Sequence, residues 1–283
     1  MVDWSEETLH DDLRIKIRID RLLFDSKTEH QRLMLFESGT FGRVLTLDGV
    51  VQTTESDEFI YHEMMAHLPI LAHGNAKRVL IIGGGDGGMA EEVLKHTAVE
   101  SVTMVEIDAG VVEFSKKYLP AICKGAFDDP RLSLVIADGA RFAAETDERF
   151  DVAIIDSTDP IGPAEVLFTD AFYGSVKRCL SEGGLVATQN GVPFLQSDEL
   201  TSTLAAFRKL FRDATCYLAT VPTYVGGPMA FGWGTDDETL RQVSEDELGQ
   251  RFKDSGIETR YYTPAVHRAA FALPPYIEDM ICG

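Results

Sequence analysis

Cysteine is scarce in this chain and follows no pairing pattern. Its four residues, Cys123, Cys179, Cys216 and Cys282, lie far apart without a CxxC spacing. They read as reduced thiols of an intracellular protein rather than a disulfide framework. Long apolar runs are missing too: none approaches the ~18 residues that span a bilayer. The acidic start MVDWSEETLHDD has no apolar signal core, so a soluble, cytoplasmic protein with no membrane partner is expected. Positive charge is the third shortage. Lys and Arg total 26 against 46 Asp and Glu, a formal charge of −20. That argues against nucleic acid as a partner and would draw in a polycation, although an acidic surface also serves plain solubility. The seven histidines show no metal-ligand spacing, so no metal is expected. No internal repeat or low-complexity segment is present.

The periodicity of the apolar residues changes once, near residue 56. Over Leu13–Asp20, Leu13, Ile15, Ile17 and Ile19 alternate with Arg14, Lys16, Arg18 and Asp20, the period of two of a half-buried strand. Gln31–Phe36 and Arg43–Leu47 read as further strands, and Asp48-Gly49 before Val50 is a hairpin signal. Residues 1–55 thus predict a small antiparallel β domain, too small to stand alone. Residues 56–283 predict a second domain. A helix over Asp57–Leu71, with Ser56 or Asp57 as N-cap, leads into strands at Arg78–Ile82, Ser101–Glu106, Leu132–Ile136, Asp151–Asp156 and Leu185–Gln189. Helical stretches such as Ala109–Tyr118, Thr169–Leu180 and Ser197–Phe211 lie between or after them. This alternation is that of a parallel, doubly wound α/β sheet. Thr215–Val221 and Met229–Thr235, joined through PTYVGGP, read as an antiparallel pair. Such a closing pair fits a Rossmann-like fold of the methyltransferase type.

The most informative stretch is Val79–Glu92, VLIIGGGDGGMAEE. A strand, a glycine-rich turn and a helix start bring backbone N–H groups to a bound nucleotide. Asp86 stands among the glycines, where it is a poor host for pyrophosphate and a good one for a cation. The loop therefore points to a nucleoside with a positively charged tail. Three more predicted strands end in acids: Glu106 in MVEID, Asp138 in IADG, and Asp156 with Asp159 in DSTDP. Ligands of open α/β sheets sit at these carboxyl ends. Glu106, twenty residues after Asp86, suits the ribose hydroxyls. Asp138 suits the adenine edge, but before Gly139 it also reads as a plain helix N-cap. Asp156 and Asp159 could equally organise a turn before Pro160.

Taken together, LDGVVQTTESDEFIYHEM (47–64), VLIIGGGDGG (79–88), MVEID (104–108), VIADG (135–139), IIDSTDPIGPAEVLF (154–168), QNGVPF (189–194) and PTYVGG (222–227) resemble the bacterial spermidine synthases of the polyamine aminopropyltransferase family. The resemblance covers essentially the whole chain. It implies aminopropyl transfer from decarboxylated S-adenosylmethionine, a co-substrate rather than a cofactor, to putrescine, giving spermidine and methylthioadenosine. It assigns Asp156 as proton acceptor. Asp86 would hold the donor's ammonium and repel the carboxylate of intact S-adenosylmethionine. Gln31, Glu106, Asp138, Gly139 and Pro163 would contact the nucleoside. Gln52, Tyr61, His62, Ser157, Thr158, Asp159 and Tyr224 would line the amine site, with Trp4 near its entrance. His62 stands where many eukaryotic members carry glutamine. The resemblance also implies a homodimer or homotetramer and a gating loop over Pro160–Leu167.

The chemistry is consistent with the residue types. A sulfonium leaves without metal assistance. A primary amine with a pKa of about 10 is neutral in only about one molecule in a thousand near pH 7. A carboxylate beside the attacking nitrogen can take its proton, and a second can hold the far ammonium. Three other readings remain at this stage: a relative preferring cadaverine or agmatine, a methyltransferase using intact S-adenosylmethionine, and a silent polyamine-binding homologue. An NAD-dependent dehydrogenase fits least, because Asp86 would face its pyrophosphate.

Overall fold

The computed structural model describes residues 3–28, 31–160 and 162–282. Its N-terminal part holds β1 (Asp3–Glu7), β2 (Ile15–Ile19), β3 (Arg21–Lys27), β4 (Arg32–Ser38), β5 (Gly42–Leu47) and β6 (Val50–Thr54). These form two antiparallel sheets, β1-β2 and β3-β4-β5-β6. The alternation in β2 buries Ile17, which packs with Phe36, Val44 and Val51. Leu33, Leu35 and Leu45 face the other way and pack on Val111, Phe114 and Ile122. The Asp48-Gly49 turn carries positive φ at both residues, +49° and +88°, as a type I′ hairpin requires. β1 and β3 were not expected. Both are rich in polar side chains, and β1 buries only Ser5, so neither shows alternation.

The rest of the chain builds one seven-stranded sheet from β7 (Arg78–Gly83), β8 (Ser101–Glu106), β9 (Leu132–Ile136), β10 (Phe150–Asp156), β11 (Leu180–Gln189), β12 (Asp213–Ala219) and β13 (Met229–Thr235). The order is β12-β13-β11-β10-β7-β8-β9. All neighbours are parallel except β13, which runs antiparallel to β11 and β12. The fold is the expected Rossmann-like α/β sheet with a small antiparallel β part. β11 begins five residues earlier than expected, because Leu180 already pairs with Phe150 before an irregular stretch leads to the pairing of Leu185 with Val152.

Helices α1 (Glu58–His73), α2 (Gly88–Leu94), α3 (Ala109–Tyr118), α4 (Pro120–Cys123), α5 (Gly139–Glu145), α6 (Asp170–Cys179), α7 (Ser197–Leu210), α8 (Glu245–Ser255), α9 (Pro264–Ala270) and α10 (Pro275–Cys282) surround the sheets. α1 and α2 cover one face of the large sheet with Met64, Leu68, Ala90 and Val93 against Val79, Ile81 and Trp233. α6, α7 and α10 cover the other with Tyr173, Leu204, Phe207 and Ile277 against Leu80, Ala153 and Val186.

Two buried carboxylates tie distant segments to α1. Glu63 accepts backbone N–H bonds of 2.7–2.8 Å from Arg260, Tyr261 and Tyr262. Asp57 occupies the N-cap position of α1 but makes no side-chain bond to the helix. It accepts instead from Thr54 Oγ1 at 2.6 Å and from the Thr223 N–H at 2.8 Å. The expected cap is thus a cross-link between β6 and the loop after β12. Tertiary donors have replaced the helix's own N–H groups.

Strand order reverses between β7 and β10, and a ligand crevice is expected at such a switch point. The two strands end together, with Gly83 opposite Asp156. A Cβ at Gly83 would lie 2.0 Å from the Asp156 carbonyl oxygen, and φ is +89°. Only glycine lets the chain turn there.

Candidate active site

At that switch point lies a cavity of about 310 Å³. Gln31, Gln52, Tyr61, His62, Asp86, Glu106, Asp138, Gly139, Asp156, Ser157, Thr158, Asp159 and Tyr224 all line it. These residues come from both β parts, α1, four strand ends and the loop after β12. The side chain of Pro163 lies outside the described residues. Trp4 is not in the cavity wall. It is 54% exposed on β1, and the same hairpin contributes Glu7, Leu9, His10 and Ile15 instead. Gly162, Ala164, Val166 and Leu167, from a 3₁₀ segment over 162–168, close one side.

The centre of the cavity is a cluster of acids around one cation. Tyr61 Oη donates to Asp156 Oδ1 at 2.6 Å. Burial pushes Asp156 up to about 6; His62 and the Tyr61 hydroxyl oppose that shift, and Asp86 adds to it. Asp86 Oδ1 accepts from the Gly88 N–H at 2.9 Å, and its Oδ2 lies 3.6 Å from His62 Nε2. His62 Nδ1 meets Glu58 Oε2 at 2.7 Å. Burial alone would keep the imidazole neutral, but Asp86 and Glu58 outweigh it and raise His62 to about 10. The ring is therefore a cation at neutral pH. It lies against Gly88, where a Cβ would come within 2.3 Å of Cε1. This is the second place where glycine is required.

One side of the cavity is built from strand ends. Glu106 Oε1 accepts from the Asp108 N–H at 2.8 Å, and burial pushes its carboxyl up to about 7. A Cβ on Gly85 would fall 2.9 Å from Glu106 Oε2, so loop and acid approach closely. Gln31 Nε2 reaches Asp108 Oδ2 at 3.4 Å, joining the N-terminal part to the start of α3. Asp138 Oδ1 accepts from the N–H groups of Ala140 and Arg141 at 2.8 and 3.0 Å. The N-cap reading of Asp138 therefore holds, alongside its place in the cavity wall.

The opposite side carries Glu7, Ser157, Asp159 and Tyr224. Tyr224 Oη donates to the Gln52 carbonyl at 2.5 Å, and its ring meets Tyr61 edge-on with centroids 6.2 Å apart. Ser157 Oγ is buried without a hydrogen-bond partner among the described residues. Asp159 accepts from Gln196 Nε2 at 2.6 Å, and burial raises its pKa. Glu7 Oε2 accepts from the Val51 N–H at 2.7 Å. Burial raises Glu7 as well, and Asp159 adds to the shift.

Sequence reasoning passed over Glu7, His10, Gln189, Gln196 and Glu58. Only Glu58 left a signal, an acid four residues before a histidine on one helix face. The others arrive through tertiary contacts. Among the described residues, no three His, Cys, Asp or Glu side chains are grouped as metal ligands, and no helix is long and apolar enough to cross a membrane.

Comparison with known proteins adds to this geometry. Residues 58–244 match the spermine/spermidine synthase domain, and residues 3–55 match the spermidine synthase tetramerisation domain. A polyamine aminopropyltransferase of Ruegeria sp. (strain TM1040) is 65% identical over 277 residues, 98% of either chain. Polyamine aminopropyltransferase 1 of Pseudomonas aeruginosa is 58% identical over 276 residues, 98% of this chain and 96% of the relative. A spermidine synthase crystallised with the transition-state analogue AdoDATO superposes with a TM-score of 0.94 at 36% identity, covering 99% of this chain and 95% of that one. Spermidine synthase from Thermotoga maritima gives 0.91 at 34% identity, covering 99% and 94%.

Proposed function

Since the chain belongs to the spermine/spermidine synthase family, we propose that it transfers the aminopropyl group of decarboxylated S-adenosylmethionine to putrescine, as a spermidine synthase. The observation that carries this reading is the acid cluster at the switch point: Asp86 inside the glycine loop, and Asp156 with Tyr61 on it at the end of the next strand.

In this reading Glu106 and Gln31 hold the ribose, and Asp138 and Gly139 meet the adenine. Pro163 packs on the nucleoside. Asp86 takes the ammonium of the aminopropyl arm, while Asp159 takes the far ammonium of the diamine. Gln52, His62, Ser157, Thr158 and Tyr224 wall the amine channel. The near nitrogen lies at Asp156. As its lone pair forms the new N–C bond, the C–S bond breaks and its electrons return to sulfur, which leaves as a neutral thioether. The proton shed by nitrogen goes to Asp156. Bringing a nearly always protonated amine to its neutral form costs about 4 kcal/mol near pH 7, and a buried carboxylate titrating near 6 is suited to accept that proton. The residues supply all the acid–base chemistry this step needs, and no cofactor is invoked. Holding nitrogen, carbon and sulfur in line supplies much of the remaining acceleration. The 3₁₀ segment over 162–168 is the proposed gate.

The match of residues 3–55 to a tetramerisation domain supports assembly with further copies of the chain. Light scattering would tell a dimer from a tetramer.

The test of function incubates the enzyme with decarboxylated S-adenosylmethionine and, separately, putrescine, cadaverine, agmatine or spermidine, beside Asp156→Asn. Spermidine and methylthioadenosine formed chiefly from putrescine, and nearly lost in the variant, are expected. A different preferred amine would change the acceptor and keep the mechanism. Methylation from intact S-adenosylmethionine, with no aminopropyl transfer, would refute the role given to Asp86.

A further inference from the structure

Behind Asp159 stands an arrangement the reaction as derived does not use. Gln196, the residue before α7, offers both ends of its amide to fixed partners. Its Oε1 accepts from the Val192 N–H at 3.0 Å. Its Nε2 donates to Asp159 Oδ1 at 2.6 Å and to Glu199 Oε1 at 2.8 Å. An amide has two N–H donors and one carbonyl. Here both donors are spent on carboxyls and the carbonyl on a backbone N–H. Turning the amide over would set its oxygen against two acids and its N–H₂ against the Val192 N–H, so one orientation is enforced.

The backbone reinforces it. Gln196 N–H donates to the Val192 carbonyl at 2.8 Å, closing a turn around the side chain. Gly191, at φ +62°, leaves the space: a Cβ there would lie 2.8 Å from the Gln196 amide and from Glu199 Oε2. Glu199 is outside the cavity wall, and its Oε2 is buried without a partner among the described residues. Burial and the nearby Asp159 push Glu199 up to about 8. Two acids facing one amide are thus kept at a reduced joint charge.

We propose that Gln196, held by Glu199 and the Val192 amide, positions the Asp159 carboxyl and thereby sets which diamine length the acceptor site prefers. Both are positioning residues. The inference rests on the reading that Asp159 receives the far ammonium. The distance between that ammonium and the attacking nitrogen is fixed by diamine length, one methylene separating putrescine from cadaverine. A site selects between them only if Asp159 cannot move to meet either. With Gln196 gone, Asp159 loses the 2.6 Å bond that fixes its Oδ1.

The test compares kcat/KM for putrescine and cadaverine in wild type, Gln196→Leu, Glu199→Leu and Glu199→Gln. Calorimetry with methylthioadenosine reports the nucleoside side separately. Gln196→Leu should raise KM for putrescine about tenfold, the worth of a hydrogen bond to a charged group. Its kcat should stay within about threefold, and the preference between the two diamines should fall at least fivefold. Glu199→Leu should move the same ratio less, and Glu199→Gln, which keeps a carbonyl for the amide, should restore it. If Gln196→Leu does not fold, the two Glu199 variants carry the comparison. An unchanged diamine ratio in folded variants, or a parallel loss of methylthioadenosine binding, would overturn the proposal. A wild-type enzyme inactive with every diamine would remove the functional reading, and this inference with it.

Discussion

Tyr61 and Asp156 lie 95 positions apart in sequence and are joined by a 2.6 Å hydrogen bond in the middle of the cavity. One comes from α1 and the other from the end of β10. The phenol donates to the acid proposed to accept the substrate's proton, so it tunes that acid directly. Asp156 must be ionised to act, and the rate should therefore climb as pH rises through about 6. Removing the Tyr61 donor removes a bond that favours the carboxylate. Tyr61→Phe should move the acid limb of the kcat profile to higher pH, while Asp156→Asn should cost roughly 10²–10⁴ in kcat. An acid limb left in place by Tyr61→Phe would show that another group titrates there.

Glu58 and His62 give a prediction about stability. His62 is raised to about 10 when folded, against about 6.5 when unfolded. The charged ring therefore contributes stability that is fully present below about pH 6.5 and is lost as pH rises through about 10. Glu58→Gln removes one of the two acids that hold the proton. The fall of Tm on the alkaline side should then end at lower pH, and be smaller in total, than in wild type. Parallel Tm curves for the two proteins from pH 6 to 10 would refute the assignment.

Glu106 predicts a pH-dependent nucleoside affinity. Its carboxyl is pushed up to about 7, so between pH 6 and 8 it passes from mostly neutral to mostly ionised. If the carboxylate grips the ribose, methylthioadenosine should bind up to about tenfold more tightly at pH 8 than at pH 6. Glu106→Gln should flatten that slope. Calorimetry at three pH values checks both statements.

Gly88→Ala tests the packing under His62. The added methyl would come within 2.3 Å of the imidazole, so the ring would have to shift toward the cavity that it lines. Overpacking of this kind costs about 1–3 kcal/mol. Urea unfolding should show a loss in that range, and donor turnover should fall because the ring is forced from Asp86. Unchanged stability would mean that the ring moves freely.

The strands of the large sheet were legible because each is a short run rich in apolar residues, whether parallel, as β8 and β9, or antiparallel, as β13. Ser101–Glu106, Leu132–Ile136 and Met229–Thr235 have the same bounds in sequence and structure. The acids at the strand ends stood out because they interrupt those runs. What was illegible has a common cause. Glu7 reaches the cavity from a polar hairpin whose neighbours give no pattern. Gln196 matters only because Asp159, 37 positions earlier, lies beside it. Asp57 looks like a helix cap locally and is claimed by Thr223, 166 positions away. In each case the decisive partner is distant in sequence, and local residue preferences carry no trace of it.

The two ends of the cavity rest on separate foundations. Asp86, Glu106 and Asp138 follow three successive strands of the large sheet, a rigid platform. Gln52, Tyr61 and Tyr224 come from β6, α1 and the loop after β12, which Asp57 laces together beside that platform. Mutation can therefore rework one end while the other stays intact. A lineage of such proteins could keep one nucleoside donor and change acceptors by small repairs around Asp57, a division of labour written into the architecture.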